Sequence, residues 1–506
     1  VAHAVLGGLV AMGWLVLPLA RAGAEAPAAP VRSPGAEPLP AAAPQAATAT
    51  GDLVPPLVAA GAAGAVAAYG YGRRRRRAAR TTPGGEHGLT PLHELDLQAR
   101  RLLVETDDCV RVCAEELAVA ADHSPGDELE PYEYDLRHAE AGLAAAFLLR
   151  QRLDEADAAG VDPDDGEDDR RDVLEEIVAR CRDAGQRLDA AAPGFDQIRA
   201  LERNAAAALE SAETRFRVVA AGVRAAGATI ASLHERYAPA ASLPVVGDAE
   251  QAKDRLLFTT SHLNQARQYA DRGDGPKAAA HLRAAEGALA QAADLVDGVE
   301  RLAGELAAAA AALPAAIAAA ETARDAARGL PADARAALVG PLGHTDAVLS
   351  AVRHETAAGP FDPLDALRRV TEATAALAGA GGDGLPDGRE QALIPARGSL
   401  AGAAGFVGTH RGAVGCEART RLAEARRLLS PGSVPLSEVL RADEFAREAR
   451  RLAERDVRAH GNPSGGRGGA GAGGAVLGGI LLDDGEGGPM SYGGPRTRGR
   501  RGAFFT

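Results

Sequence analysis

Large side chains are scarce in this chain, and that scarcity limits the interiors it can build. Only 3% of its 506 residues are aromatic, with one Trp, nine Phe and seven Tyr. Sixty residues are Gly, and Ala is abundant throughout. A compact enzyme core of this length normally draws on bulkier groups to reach interior packing density. Small residues suit helix-on-helix packing, where backbones approach closely.

The hydrophobic spacing points the same way. Leu129, Tyr132, Leu136, Ala139, Leu143, Ala146, Arg150 and Leu153 alternate three and four residues apart, a coiled-coil seam with one charged member. Leu174, Ile177, Cys181, Ala184 and Leu188 repeat the spacing without exception. Thr90 reads as an N-cap followed by Pro91 and Glu94, opening a helix over about 90–122. Breaks are expected at 123–126, 193–194, 239–247, 273–276, 329–331, 359–363, 381–388 and 430–435, and Pro314 predicts a kink or break. No strand-like alternation lies between them. The predicted fold over 89–460 is all-α: an elongated antiparallel helical bundle of coiled-coil-like pairs. Its seams can close within the chain or against a second copy.

The N-terminal residues have a different character. Residues 1–20 carry no Asp, Glu, Lys or Arg, and Ala22-Gly23-Ala24 offers a cleavage site before Glu25. Residues 1–24 read as a secretory signal peptide, or else as a first membrane span. Residues 25–52 read as an Ala/Pro-rich linker. Residues 53–72 form an uncharged stretch, about 30 Å long if helical, enough to cross the hydrocarbon core. Leu53, Val54, Leu57, Val58 and Val66 contribute roughly −1.5 to −3 kcal/mol toward insertion. Tyr69 and Tyr71 sit at the far end, where interfacial aromatics belong. Arg73, Arg74, Arg75, Arg76 and Arg77 follow without interruption and open a basic juxtamembrane linker, 73–88. Positive charge stays cytoplasmic, which places the N-terminal side outside and the helical region in the cytosol. Membrane lipids are the expected partner of this segment. From 461 to 506 the chain is Gly-rich and ends in a basic cluster, Arg496 to Arg501; disorder is expected because Gly loses so much entropy on ordering.

Motifs for chemistry are weak. A net charge of −13 argues against a protein that coats nucleic acid. Gly469, Gly471 and Gly474 match a dinucleotide pattern, but no strand precedes them and the surroundings are Gly-rich. His93-Glu94, His234-Glu235 and His354-Glu355 each lack the second His a zinc-binding helix face needs. Cys109 and Cys113 share a helix face without companion ligands, which favours small buried thiols. The acidic run Asp162 to Asp169 puts Gly at the wrong position for a calcium loop. No catalytic residue, cofactor, metal or small-molecule substrate is assigned.

Several blocks resemble a known family. They are Asp107-Asp108 with Glu115-Glu116-Leu117, Leu143 to Phe147 with Arg150 to Asp154, Leu174 to Cys181, and Phe195-Asp196 with Arg199 to Arg203. The most specific are Thr409 to Gly415 and Glu417 to Ala425, followed by Gly461-Asn462-Pro463 and Ala475 to Leu482. Over about 53–485 the chain resembles the helical half of bacterial TPM-domain membrane proteins. The resemblance implies a signal peptide, an extracytoplasmic α/β TPM domain with phosphatase-like and metal-binding associations, a span, an Arg cluster, a helical region and a Gly-rich tail. Residues 25–52 are too few for that domain, so none of the family's metal or catalytic residues can be placed here. The expected function is that of a noncatalytic, membrane-anchored structural or interaction protein of the bacterial cell envelope, with a protein partner or self-association through its helices. The alternatives are an accessory or regulatory subunit of a TPM-type system, and RNA binding through Arg496–Arg501.

Overall fold

The computed structural model describes residues 90–122, 124, 126–160, 166–381, 388–430, 434–460 and 491–502, and every regular element among them is helical. The expected signal segment, linker, span and Arg run, residues 1–88, lie outside the described residues, as do 461–490.

Three long helices come first: α1 (Leu92–Ala121), α2 (Gly126–Ala158) and α3 (Glu167–Arg199). They pack on one another around a core in which Leu174, Ile177, Cys181, Ala184 and Leu188 are all buried, so this seam closes inside the chain. Pro91 occupies the cap position of α1, and no side-chain cap bond is made there. The Thr90 carbonyl instead accepts from Arg171 Nη1 at 2.7 Å. Part of the expected acidic loop is helix: Glu167, Asp168 and Asp169 form the first turn of α3, where they complement its dipole.

The break expected at Pro193-Gly194 does not occur, because α3 runs through both residues. Ala192 and Phe195 on either side are buried in the core, and that packing outweighs the one backbone bond Pro193 removes. Gly194 lies against Tyr132, whose hydroxyl would sit 2.5 Å from any Cβ there. The helix stops at Ala200, held in the left-handed region at φ 45°.

The next group is α4 (Ala205–Arg236), α5 (Asp248–Asp271) and α6 (Gly275–Arg328), with short helical turns over 239–245 between α4 and α5. The spine is α6, 54 residues long. Asp274 caps it by accepting from Lys277 N at 3.3 Å. Its first half packs on α4 and α5; its second half packs on α7 (Val339–Ala358) and α8 (Pro363–Gly381). Pro314 does not break it: that residue is exposed while Leu313 and Ala316 are buried. Three further helices complete the bundle: α9 (Arg389–Thr409) lies on α6 and α8, while α10 (Cys416–Leu428) and α11 (Leu436–His460) pair with each other. Contacts of α10 with α1 and α2 tie this end back to the first group.

By length and composition, α4 and α6 are apolar enough to cross a membrane. Both pack along other helices, and the apolar share of α6 is largely the Ala that close packing requires. The expectation of a wholly disordered tail does not hold, since residues 491–502 are ordered and form α12 (Pro495–Gly502) against α1 and α3.

Ala309, Leu313 and Ala316 of α6 face Val352, Leu367 and Val370 in one cluster, and Ala309 is fully buried. Ala309→Leu is therefore expected to cost about 1–3 kcal/mol by overpacking, read as a lower denaturation midpoint with unchanged slope.

Candidate functional site

Two features stand out from the packing of helix on helix. The first is the groove that holds the C-terminal segment. Tyr492 is fully buried, stacked on Phe195 with ring centroids 4.5 Å apart and edge-on to Tyr132 at 5.8 Å. Its hydroxyl donates to the Tyr132 carbonyl at 2.9 Å, so the polar end of the ring is satisfied. Gly493 N donates to Cys113 Sγ at 3.2 Å.

Gly494 then runs so close to the α3 backbone that a Cβ on it would overlap the Gly185 carbonyl. A Cβ on Gly185 would in turn meet Pro495 at 2.9 Å. Gly494 requires Gly because its backbone meets the α3 backbone, and Gly185 leaves room for the Pro495 ring.

One turn along α3, Asp189 caps α12: it accepts from Thr497 N at 2.9 Å, Thr497 Oγ1 at 2.7 Å and Arg496 N at 3.3 Å. Arg498 reaches Cys109 Sγ at 3.8 Å. The four Cys are free and buried. Burial pushes the Cys109 thiol up to about 11 and Cys181 up to about 12, with Cys113 raised further still. Such groups stay protonated at neutral pH and are poor nucleophiles.

The second feature is a cavity of about 820 Å³ walled by the turns over 239–247, the start of α5, the middle of α6, the start of α8, and by α9 and α11. Gly398, Gly402 and Gly405 give α9 a side with no side chains, which leaves the space open. Arg450 lies 4.0 Å over the Phe406 ring, donates to the Gly402 carbonyl at 3.3 Å and pairs with Glu454 at 2.7 Å. Arg301 pairs with Glu305 at 3.2 Å, and Arg368 bonds Asp443 at 2.9 Å and Ser399 at 3.2 Å. Asp248 also lines it. Burial pushes its carboxyl up to about 6 against the pull of Arg450, Arg255 and Arg301. Guanidinium groups alternating with carboxylates suit a small charged solute. Among the described residues no group of three or more His, Cys, Asp or Glu is placed to hold a metal ion.

The residues that carry the family resemblance meet in an ion-pair network. Arg419 of α10, 2% exposed, reaches Asp107 at 2.5 Å and Asp108 at 2.7 Å on α1, and donates to the carbonyls of Arg411 and Val414. Arg411 grips Glu115 through two bonds at 3.2 and 3.3 Å. Arg199 of α3 bridges Glu116 and Glu286, linking α1 to α6. Burial raises the Glu116 carboxyl although Arg199 opposes the shift. Arg150, the charged member of the α2 seam, is buried and held by Asp154 and Asp96. Each of these charges has a partner of opposite sign, and the geometry is that of a framework.

Sequence reasoning missed both the groove and the cavity. Paired Gly, Tyr and Pro within 491–497 were the available signal for the groove; the cavity assembles from segments scattered between residues 240 and 454 and left none. The expected anchor residues lie outside the described chain.

Over 435 residues the chain is 31% identical to two curated proteins of Mycobacterium tuberculosis, UPF0603 protein MT2410 and UPF0603 protein Rv2345, from two strains. The match covers 80% of this chain and 65% of each relative, so the chain spans a little under two thirds of their length. No family model matches the chain, and no solved structure matches it.

Removing the Arg419 side chain would leave Asp107 and Asp108 without their partner. Arg419→Ala is expected to cost about 3–5 kcal/mol, and much less in a chain already carrying Asp107→Asn and Asp108→Asn, as a double-mutant cycle in urea would measure. For Asp248 the folded carboxyl titrates at about 6 and the unfolded one near 3.8. The folded chain therefore binds an extra proton between these values, and stability is lost as pH rises through that window. Asp248→Asn should recover at most about 3 kcal/mol at pH 7 relative to pH 4, measured as the difference from wild type in paired denaturation curves.

Proposed function

We propose that this chain is a membrane-anchored, noncatalytic helical protein of the bacterial cell envelope whose cytosolic body works by binding protein segments. The observation that carries the reading is the seated C-terminal segment. The first three helices supply a ring pocket for Tyr492, a bare backbone path for Gly493-Gly494 and a carboxylate for the first turn of α12 at Arg496 and Thr497. Peptide recognition of this kind needs side-chain pockets along an extended stretch.

A second support is the exposed side of α6, where Ala307, Ala308, Ala311, Ala315 and Ala318 form an uncharged strip between Glu305 and Glu321. The anchor rests on the sequence of 53–77. The thiols are protonated and the charged clusters are paired, which favours a framework over an enzyme.

A role as accessory or regulatory subunit of a TPM-type, phosphatase-like system draws support from the blocks that meet at Arg411 and Arg419. Co-purification with a separate TPM-domain protein would favour it. RNA binding through the tail has less support, because Arg498 is turned into the groove beside Cys109.

The anchor is tested by fractionation and by a reporter joined after residue 80. The full chain should stay with membranes after an alkaline carbonate wash and leave them in detergent, with the reporter on the cytosolic side. Recovery of the intact chain in the soluble fraction, or a reporter on the outer side, would overturn the reading.

A further inference from the structure

The large cavity holds an acid and a base that border one gap without bonding across it. Asp248 Oδ2 of α5 and Arg301 Nη2 of α6 each lie 3.7 Å from the point where a Cβ on Gly298 would stand, and no other atom of another helix comes within 4 Å of that point. The two charged atoms are thus at most twice that distance apart. Among the described residues no hydrogen bond or ion pair reaches the Asp248 carboxylate. Arg301 bonds Glu305 through Nη1 at 3.2 Å, which leaves Nη2 turned to the gap, 3.8 Å from where a Cβ on Gly405 of α9 would stand. Gly298 and Gly405 keep the space open from two sides.

Burial lifts the Asp248 carboxyl to about 6 against the pull of Arg450, Arg255 and Arg301. At pH 7 it therefore carries a charge that no donor satisfies, in a place where such a charge is costly. A cationic group brought to it would form a charge-assisted bond, and the free Nη2 of Arg301 calls for an anion close by. A solute with only one of these charges answers half of the site. An α-amino acid carries both ions on one carbon, a spacing that spans the gap with a hydrogen bond of about 2.8 Å at each end.

The rest of the space describes the side chain. At about 820 Å³ the cavity is in the range of small-molecule sites and much larger than the ion pair needs. Leu243, Pro244, Leu302, Leu364 and Pro395 give it an apolar wall. Arg368, Arg450 and Asp362 are bonded to other groups of the chain. We propose that this cavity binds a free α-amino acid with a large apolar side chain, its ammonium on Asp248 and its carboxylate on Arg301. The site is separate from the groove of the C-terminal segment, which the first three helices form.

Calorimetric titration of the full chain in detergent at pH 7 tests the assignment, with L-leucine, L-phenylalanine and L-tryptophan as probes. At least one should bind one-to-one. Its two half-analogues, the amine without the carboxylate and the acid without the amine, should bind about tenfold more weakly or worse. Asp248→Asn removes the charge, and Gly298→Val fills the gap; each should weaken binding about tenfold or more while melting no lower than wild type. If Gly298→Val melts lower, Gly298→Ala takes its place, since its Cβ stands at ordinary contact distance from both charged atoms. Failure of all three amino acids to bind overturns the proposal. So does a half-analogue that binds as well as the amino acid, or wild-type affinity in folded Asp248→Asn and Gly298 variants.

Discussion

Alanine fixes how near the helices of this protein can come, and the rest of its architecture follows from that approach. Along α6 the buried positions are dominated by Ala, with Leu and Val at intervals. Each such contact buries little apolar area, about 25 cal/mol per Å² removed from water, so long helices are needed to accumulate it. Smooth Ala faces also specify register poorly, since one turn of slip exchanges one small residue for another. Directional bonds supply what the apolar faces lack. Arg419 of α10 and Arg411 of the loop before it hold α1, Arg199 ties α3 to α1 and α6, and Arg150 ties α2 to α1, each through geometry that a slipped pair could not reproduce. Size and direction thus divide the work: small residues set distance, and guanidinium forks set position.

Legibility in the sequence tracks how local the deciding interaction is. The helices and most of their ends were readable, because the three-four spacing and the Gly and Pro breaks act within a few residues. The seam from Leu174 to Leu188 is an instance, since every member is buried. Pro193 and Pro314 were read as interruptions because local propensity disfavours them; tertiary packing at Phe195 and Leu313 decided otherwise. The loop from His410 to Gly415 escaped notice as a break, although Asp456 of α11 accepts from Gly415 N at 3.0 Å and so caps α10 from a neighbouring helix. Asp189 does the same for α12. A cap supplied by a residue dozens or hundreds of positions away leaves no mark in the local sequence.

The same reasoning explains why the resemblance blocks were readable as a pattern but not as a role. Asp107, Asp108 and Glu115 lie about three hundred positions from Arg411 and Arg419, and only folding brings them together. Acidic pairs on a helix suggest chemistry until their partners are known. With guanidinium groups seated against them, they fasten the first three helices to the last ones.

One contact in the tail has a practical side. Cys109 and Cys113 lie under the C-terminal segment, bonded to Arg498 and Gly493, whereas Cys181 sits in the core of α3 and Cys416 opens α10. A lifted segment uncovers two sulfurs and leaves the other two sealed. The molecule thereby carries its own chemical gauge: the ratio of alkylated Cys109 and Cys113 to alkylated Cys181 and Cys416 reads how much of the time the end of the chain is away from its seat.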